Sequence, residues 1–398
     1  MRILHVVPYY EQAWAYGGIP RLATTMTRAL ARKGHDVTVC TTDVRDAQTR
    51  ASSQPANAHG IDVRMFRNVS NSLAYHLQFF TPLGLRRYIR RSASTFEVAH
   101  IHACHNLPGV IAAAELSRAG VPYVVSPNGT ALPIERRIMA KRLFALTAGR
   151  SMLQAASRVI AVSRAEAGQL RAIGIVESTI APIANPIDDR EFDAPPDAQA
   201  FRTHMRLGDA PIVLYLGKLT PRKGVEYLVE AFADLNPTGA VLGIAGNDMG
   251  TRRSVQSLVT KLRLQDRVIF TGLLTGRQRL DALAAATVVV YPSRDEVFGL
   301  VPLEALLCGT PVVVCDDSGC GEMITITGGG PVVPYGDVRS LSAAIGAVLD
   351  DQQAWRNHAR AAAIVARQRF GSDTICAQLE SLYTTVVAER PAACRIGA

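Results

Sequence analysis

Ser293-Arg-Asp-Glu296-Val-Phe298-Gly299-Leu300-Val-Pro-Leu-Glu304-Ala-Leu-Leu-Cys-Gly309-Thr-Pro311-Val-Val-Val314 is the stretch that decides the fold. The apolar run 287–291 before it reads as a buried strand, and 302–308 reads as a short helix closed by Gly309. Glu296 then sits in a strand-to-helix loop and Glu304 in the helix beyond, with Phe298, Gly299 and Leu300 between them. Such a loop lies at the carboxyl edge of a parallel sheet, where open α/β folds bind ligands. A carboxylate there can accept hydrogen bonds from sugar hydroxyls, and N–H groups at the helix start can meet an oxyanion. Two isolated glutamates would read as a solvated loop residue and a helix-surface residue. The whole string points instead to a site.

Short apolar strands alternate with helical stretches along the rest of the chain. Strands are predicted at 3–7, 36–41, 63–66, 98–101, 123–126, 158–162 and 179–182, with helical periodicity over 20–33, 109–118, 134–155 and 164–172. The polar, proline-rich run from Asn185 to Asp197 reads as a linker. After Pro211 the series restarts, with strands predicted at 212–216, 240–245, 267–270, 287–291, 311–314 and 331–333. A strand–helix series of this kind gives parallel sheets with helices on both faces. The expected fold class is α/β, two Rossmann-like doubly wound domains with a cleft between them, and such clefts are common small-molecule sites. The expected domains are 1–190, 191–371, and a last helix and tail over 372–398.

Composition narrows the function classes. A chain of 398 residues that is 48% hydrophobic and 19% charged is an ordinary globular protein. Its apolar runs are too short for a transmembrane helix, and its start is too short in apolar residues for a signal peptide. Seven cysteines without C-x-x-C spacing fit a reducing cytoplasm better than a disulfide framework or a structural zinc site. The net charge of +9 favours anionic partners. No nucleic-acid motif accompanies it, and aromatic residues are only 6%, so nucleic acid is not an expected partner.

Four further loops carry candidate chemistry. Gly217-Lys218-Leu-Thr-Pro-Arg222-Lys223-Gly224 follows the first strand of the second half, where its cations can neutralise a diphosphate. Tyr16-Gly17-Gly18 follows the first strand of the chain and precedes a helix, so its backbone can approach a bulky anion. It is not the G-x-G-x-x-G fingerprint of dinucleotide enzymes. His100-Ile-His102 closes a strand with both imidazoles on one face. With His105 near, a metal site is conceivable, but no carboxylate or cysteine cluster is placed to complete it, and a satisfied strand-end histidine is the plainer reading. Asn128 follows the next strand, where an amide can donate and accept hydrogen bonds but cannot become a cation. The segment from Asp316 to Glu322 reads as a packing loop, with Cys320 structural. Two basic clusters, 86–91 and 136–142, fall on helical stretches with apolar residues interleaved. They read either as solvated helix faces or as a surface for anionic lipid.

These pieces resemble the retaining glycosyltransferases of family 4, the glycosyl transferases group 1, over nearly the whole chain. The string at 296–304 resembles that family's E-x7-E motif, and the one at 217–224 resembles its G-R-x4-K-G motif with Lys218 in place of the arginine. The resemblance implies a GT-B fold in which the last helix crosses back to the first domain. It also implies sugar transfer from a nucleoside-diphosphate sugar to a glycan or lipid-linked acceptor, with retention and without a metal or other cofactor. Lys218 and Lys223 would stabilise the departing diphosphate. Glu296 and the backbone of Phe298, Gly299 and Leu300 would hold the donor sugar, and Glu304 the ribose. Gly17 and Gly18 would meet the donor phosphates, His102 would lie near the acceptor, and Asn128 would touch the donor sugar and the acceptor. Asn128 replaces a histidine usual in the family. The chain contains no strict D-x-D, the metal-holding motif of the other common transferase fold. A cytoplasmic enzyme of cell-envelope or polysaccharide synthesis is expected, resting at an anionic membrane face through its first domain. Two other readings stay open: a nucleotide-sugar epimerase on the same fold, or a nucleotide-sugar-binding protein without turnover.

Overall fold

The computed structural model describes residues 1–52, 60–132, 149–317 and 319–390. The basic cluster 136–142 and most of the helix predicted at 134–155 lie outside the described residues. The chain divides into two compact units, one formed by Met1–Pro186 with the segment from Ser372 onward, the other by Ile187–Gly371. The sequence boundary at 190 falls four residues later than this division. Ile187 is buried, and its N–H donates to the Phe370 carbonyl at 2.8 Å, so the polar run around it conceals a residue built into the second unit.

In the first unit, the described residues form a seven-stranded parallel sheet in the order β3-β2-β1-β4-β5-β6-β7. These are β1 Arg2–Val6, β2 Asp36–Thr42, β3 Ile61–Phe66, β4 Val98–His102, β5 Tyr123–Ser126, β6 Arg158–Ala161 and β7 Ile180–Pro182. Register places His5 beside His100 and His102 beside Ser126. The helix Ser372–Ala388 packs on one face of this sheet, where Ile375, Leu379, Tyr383 and Val386 join Ile3, Val7 and Ile160 in one apolar cluster. Lys33 and His35 pair with Glu380 at the helix's edge.

In the second unit, six parallel strands follow the order β10-β9-β8-β11-β12-β13. These are β8 Ile212–Leu216, β9 Val241–Ala245, β10 Val268–Gly272, β11 Val288–Tyr291, β12 Val312–Cys315 and β13 Val332–Val333. The three-valine runs of β11 and β12 are wholly buried, as expected for parallel strands covered on both faces.

Strand order reverses between β1 and β4 in the first unit and between β8 and β11 in the second. Those switch points are where doubly wound sheets open a crevice at their carboxyl ends. The glycine loop and His102 fall at the first, and the lysine loop and Glu296 fall at the second. Among the described residues, no helix is long and apolar enough to cross a membrane.

Candidate active site

In the second unit, two loops are drawn together at the switch point. Gly224 has φ +62°, and a Cβ there would overlap the carbonyl oxygen of Pro292 just beyond β11. Only glycine lets the loop after β8 come this close to the loop after β11. The approach brings Lys223 to Glu296, and their side chains form a hydrogen-bonded ion pair. Lys223 Nζ also donates to the Tyr291 hydroxyl at 2.5 Å and lies 4.6 Å from that ring's centroid. Lys223 is 7% exposed, and the Glu296 side chain keeps 18% of its exposure.

Burial alone would raise the Glu296 carboxyl. The charges of Lys223 and Arg222, the Lys223 hydrogen bond and then Lys218 outweigh it and hold the group below the usual carboxylate range. Three cations, Lys223, Arg222 and Lys218, therefore act on one carboxylate at the mouth of the sheet. Arg222 reaches the Asp295 carbonyl at 3.1 Å and so helps to fix the loop that carries Glu296.

Phe298 turns its ring into the core, edge-on to Phe370 at 5.7 Å, and leaves its backbone to the loop. Gly299 caps the helix Leu300–Leu307, and a Cβ there would overlap the Cys320 sulfur. Cys320 is buried, and burial raises its thiol well above the usual range, so it is a packing residue. Its N–H donates to the Glu296 carbonyl at 3.0 Å, and Asp317 accepts from the Asp295 N–H at 3.0 Å. The segment around 316–322 thus clasps the Glu296 loop; Ser318 within it lies outside the described residues.

Glu304 is 3% exposed and is ion-paired with Arg279 of the helix Gly276–Ala285. Arg279 also reaches Glu191 at 2.5 Å. The sequence reading placed Glu304 facing a ribose and did not foresee Arg279. A pair of residues on different helices leaves no local sequence signal.

In the first unit, Gly17 (φ +98°, ψ −137°) links the short helix Trp14–Tyr16 to the helix Gly18–Arg32. Tyr16 anchors the loop by stacking on Tyr9 with centroids 4.4 Å apart. Across the switch point, His5, His100 and His102 form a wholly buried cluster. His5 Nδ1 and His102 Nε2 are 2.9 Å apart, while His100 bonds the Tyr383 hydroxyl at 2.6 Å and the Ser126 hydroxyl at 2.7 Å. Burial pushes the His102 ring down to about 3 and holds His5 and His100 well below their ordinary value, aided by mutual repulsion with His102. All three are neutral near pH 7.

Their nearest nitrogens lie within 4.8 Å of one another, and neutral imidazoles suit zinc. Yet both His100 nitrogens bond hydroxyls, and His5 Nδ1 is spent on His102. The cluster is a hydrogen-bonded core element. Its third member is His5 of β1; His105 bonds the Ala131 carbonyl instead.

Asn128 sits two residues beyond β5 in the left-handed conformation, φ +54°. Its Nδ2 lies 3.4 Å from the Ser126 carbonyl, and its buried Oδ1 has no hydrogen-bond partner among the described residues. The His102–Ser126 register places His102 beside the strand end that carries the Asn128 turn.

Comparisons with known proteins agree with this geometry. Residues 16–191 match the family described as Glycosyltransferase Family 4, and residues 198–367 match Glycosyl transferases group 1. The D-inositol 3-phosphate glycosyltransferase of Xylanimonas cellulosilytica is 30% identical over 94% of this chain and 93% of its own length. The 2-deoxystreptamine N-acetyl-D-glucosaminyltransferase of Streptomyces fradiae is 26% identical over 96% of both chains. Among solved structures, Anabaena HepE in complex with UDP and glucose superposes with a TM-score of 0.76 at 22% identity, covering 97% of this chain and all of its own. The two doubly wound units have the GT-B fold. The chain belongs to the family 4, group 1 glycosyltransferases.

Proposed function

We propose that this glycosyltransferase moves a sugar from a nucleoside-diphosphate sugar to a glycan or lipid-linked acceptor, with retention at the anomeric carbon and without a metal ion. The observation that carries the reading is the convergence of Lys223, Arg222 and Lys218 on the Glu296 carboxylate at the β8–β11 switch point. A diphosphate is an anion that converging cations of this kind can hold, and HepE binds UDP on a like fold. Lys223 and Lys218 stabilise the charge that grows on the leaving group, the kind of preorganised electrostatic term that usually dominates catalysis.

Glu296 and the backbone of Phe298, Gly299 and Leu300 hold the sugar hydroxyls. Glu304, oriented by Arg279, holds the ribose. The Gly17–Gly18 backbone meets the phosphates, Asn128 orients the donor sugar and the acceptor, and His102 orders the acceptor side. The acceptor oxygen bonds the anomeric carbon on the face from which the diphosphate leaves. The carbon–oxygen bond to phosphate breaks, and the acceptor's proton passes to the departing phosphate oxygen.

The setting we propose is cytoplasmic synthesis of envelope or other polysaccharide, at an anionic membrane face. The stretch 67–83 supports it, since Val69, Leu73, Phe79 and Leu83 are exposed directly before the arginine-rich helix Leu85–Ser92. A second acceptor reading is a water-soluble ring alcohol, favoured by the relatives named for D-inositol 3-phosphate and 2-deoxystreptamine.

The test is a panel of nucleotide sugars in a thermal-shift assay, followed by transfer to each acceptor class with and without EDTA. The right donor raises stability by about 2.7 kcal/mol at a hundred times its dissociation constant. Transfer that survives EDTA supports the lysine site. Loss restored by magnesium or manganese, or no stabilising nucleotide in the panel, overturns the reading.

A further inference from the structure

Glu166 is a wholly buried carboxylate that the transfer reading does not use. It stands in the first turn of the helix Arg164–Ala172, whose cap Ser163 accepts the Glu166 N–H at 3.1 Å. In an ordinary capping box the glutamate side chain returns to the cap residue's own N–H. Here Oε2 accepts from the Val162 N–H at 3.0 Å, and Oε1 leaves the helix to accept from the Gly129 N–H at 2.6 Å. The helix needs no bond to Gly129. That bond serves the turn after β5.

The turn holds two successive left-handed residues, Asn128 at φ +54° and Gly129 at φ +76°. Thr130 ties it further, donating to the Pro127 carbonyl at 2.5 Å and accepting from the Cys104 N–H at 2.7 Å. One carboxylate thus joins the carboxyl ends of two neighbouring strands, β5 and β6, through charge-assisted bonds.

We propose that Glu166 is a positioning residue for sugar transfer, clamping the Gly129 and Val162 N–H groups so that the turn presents the Asn128 amide to the reacting groups. The proposal rests on the reading of Asn128 as part of the transfer site.

The clamp needs the ionised form. Protonation turns one oxygen into an O–H donor and leaves one buried amide badly matched. Burial pushes the Glu166 carboxyl up to about 7, against the pull of the Gly129 and Val162 amides. The titratable group set against it is the Cys104 thiol, which burial pushes up to about 12 and keeps neutral. Among the described residues Glu166 enters no ion pair. The clamp therefore closes as pH rises through about 7.

The test uses the full chain and two readouts. Hydrogen exchange of the peptide containing Gly129, corrected for intrinsic pH dependence, should show protection rising with a midpoint near pH 7. The turnover number, with the donor found in the panel, should rise through the same midpoint, while the KM for donor stays within about twofold. Glu166→Gln keeps the shape but offers one acceptor and one opposing N–H group. It should abolish both midpoints and hold turnover at pH 8 about tenfold or more below wild type.

The exchange measurement on wild type needs no variant, so it stands even if Glu166→Gln folds poorly. A wild-type peptide without a midpoint between pH 6 and 8 overturns the clamp. A Glu166→Gln enzyme with half the wild-type turnover, or one that keeps the same pH profile, overturns the positioning role. A protein that shows the exchange midpoint but transfers no sugar from any donor overturns the proposed activity and leaves the clamp standing.

Discussion

At the switch point of the N-terminal unit three imidazoles are buried neutral, whereas at that of the C-terminal unit a buried lysine and a half-buried carboxylate are charged. In the first cluster His100 is satisfied by the hydroxyls of Tyr383 and Ser126, while His5 Nε2 and His102 Nδ1 have no hydrogen-bond partner among the described residues. The second is surrounded by further cations, Arg222 and Lys218. A neutral cluster can orient neighbours, but it has no charge to offer a departing anion. A buried ion pair with extra cations does, and it costs desolvation whenever one partner is removed. On the proposed function the units divide the work: geometry on one side, electrostatics on the other.

The largest expected effect is at Lys223. Lys223→Ala should lower turnover by roughly a hundredfold or more, as for loss of one preorganised transition-state partner. It should also destabilise the unit by about 3 kcal/mol, because Glu296 loses its nearest counter-charge. The double variant Lys223→Met, Glu296→Gln should recover most of that stability without recovering turnover. Denaturant titration and initial rates separate the two effects. Near-wild-type transfer by either protein would erase the proposed division. Glu304→Ala belongs to the same test and should raise the dissociation constant for nucleotide more than it lowers turnover.

That pair was half legible in the sequence. Parallel strands buried on both faces, such as the valines of β11 and β12, announce themselves as apolar runs, so both sheets could be counted beforehand. Lys218, Lys223 and Glu296 lie in loops next to such strands and could be placed at the sheet edge from order alone. Arg279 could not, because its bond to Glu304 depends on how two helices pack. His5 reads as one residue in an apolar strand, and only β1–β4 register puts it beside His100. Ile187 hides in a polar run. Glu166 did leave a signal, the spacing Ser163-x-x-Glu166 of a capping box, but nothing local foretells that one oxygen reaches Gly129.

Acid should act on the N-terminal unit first. Its three histidines have folded values below 6.5, so their contribution is present above pH 6.5 and is lost as pH falls toward the folded values. Each imidazole that stays neutral at pH 5 costs about 2 kcal/mol relative to the unfolded chain. Glu166 runs the other way relative to the unfolded chain, since its raised value gives stability at low pH that is lost as pH rises through about 7. The clamp compares two folded states in which the carboxyl stays buried, and there ionisation favours the closed turn. Three groups against one leave a net loss on acidification. Glu296 is held below its ordinary value, so its contribution to the C-terminal unit is present above that ordinary value and fades only at lower pH. Hydrogen exchange at pH 5 should show peptides of β1, β4 and β5 opening before those of β8 and β11. The reverse order would break the contrast between neutral and charged interiors.

A smaller effect is expected at Asn128. If the N-terminal unit supplies geometry only, an amide suffices there, and Asn128→Ala should lose about tenfold in transfer, the scale of one or two hydrogen bonds. Asn128→His keeps donor and acceptor roles at similar reach and should lose less. If the position needs proton transfer, Asn128→His should exceed wild type severalfold and Asn128→Ala should change little. Initial rates of the three proteins decide, and the second outcome would move weight to a binding protein without turnover.

The smallest effects belong to charges that the protein leaves in water. On the helix Leu85–Ser92, Arg86 and Arg90 pair with Glu115, as does Arg118, and the arginine side chains stay about 60% exposed. Hydrogen bonds from Arg90 and Arg86 hold the Glu115 carboxyl well below its usual range. Arg87 and Arg91 are exposed and enter no ion pair among the described residues, so they are the charges available to an anionic surface. Each should contribute about 1 kcal/mol to vesicle binding at low salt. The protein should sediment with phosphatidylserine vesicles at low ionic strength and be released as salt shortens the Debye length to about 8 Å. Replacing Arg87 and Arg91 by Gln should weaken sedimentation more than replacing Arg86 and Arg90, whose charge Glu115 already offsets. Changing Phe79 and Leu83 to Ser should weaken the salt-resistant remainder, because apolar insertion is not screened. Equal sedimentation with neutral vesicles would return these arginines to plain solvated surface and leave the soluble-acceptor reading in the stronger position.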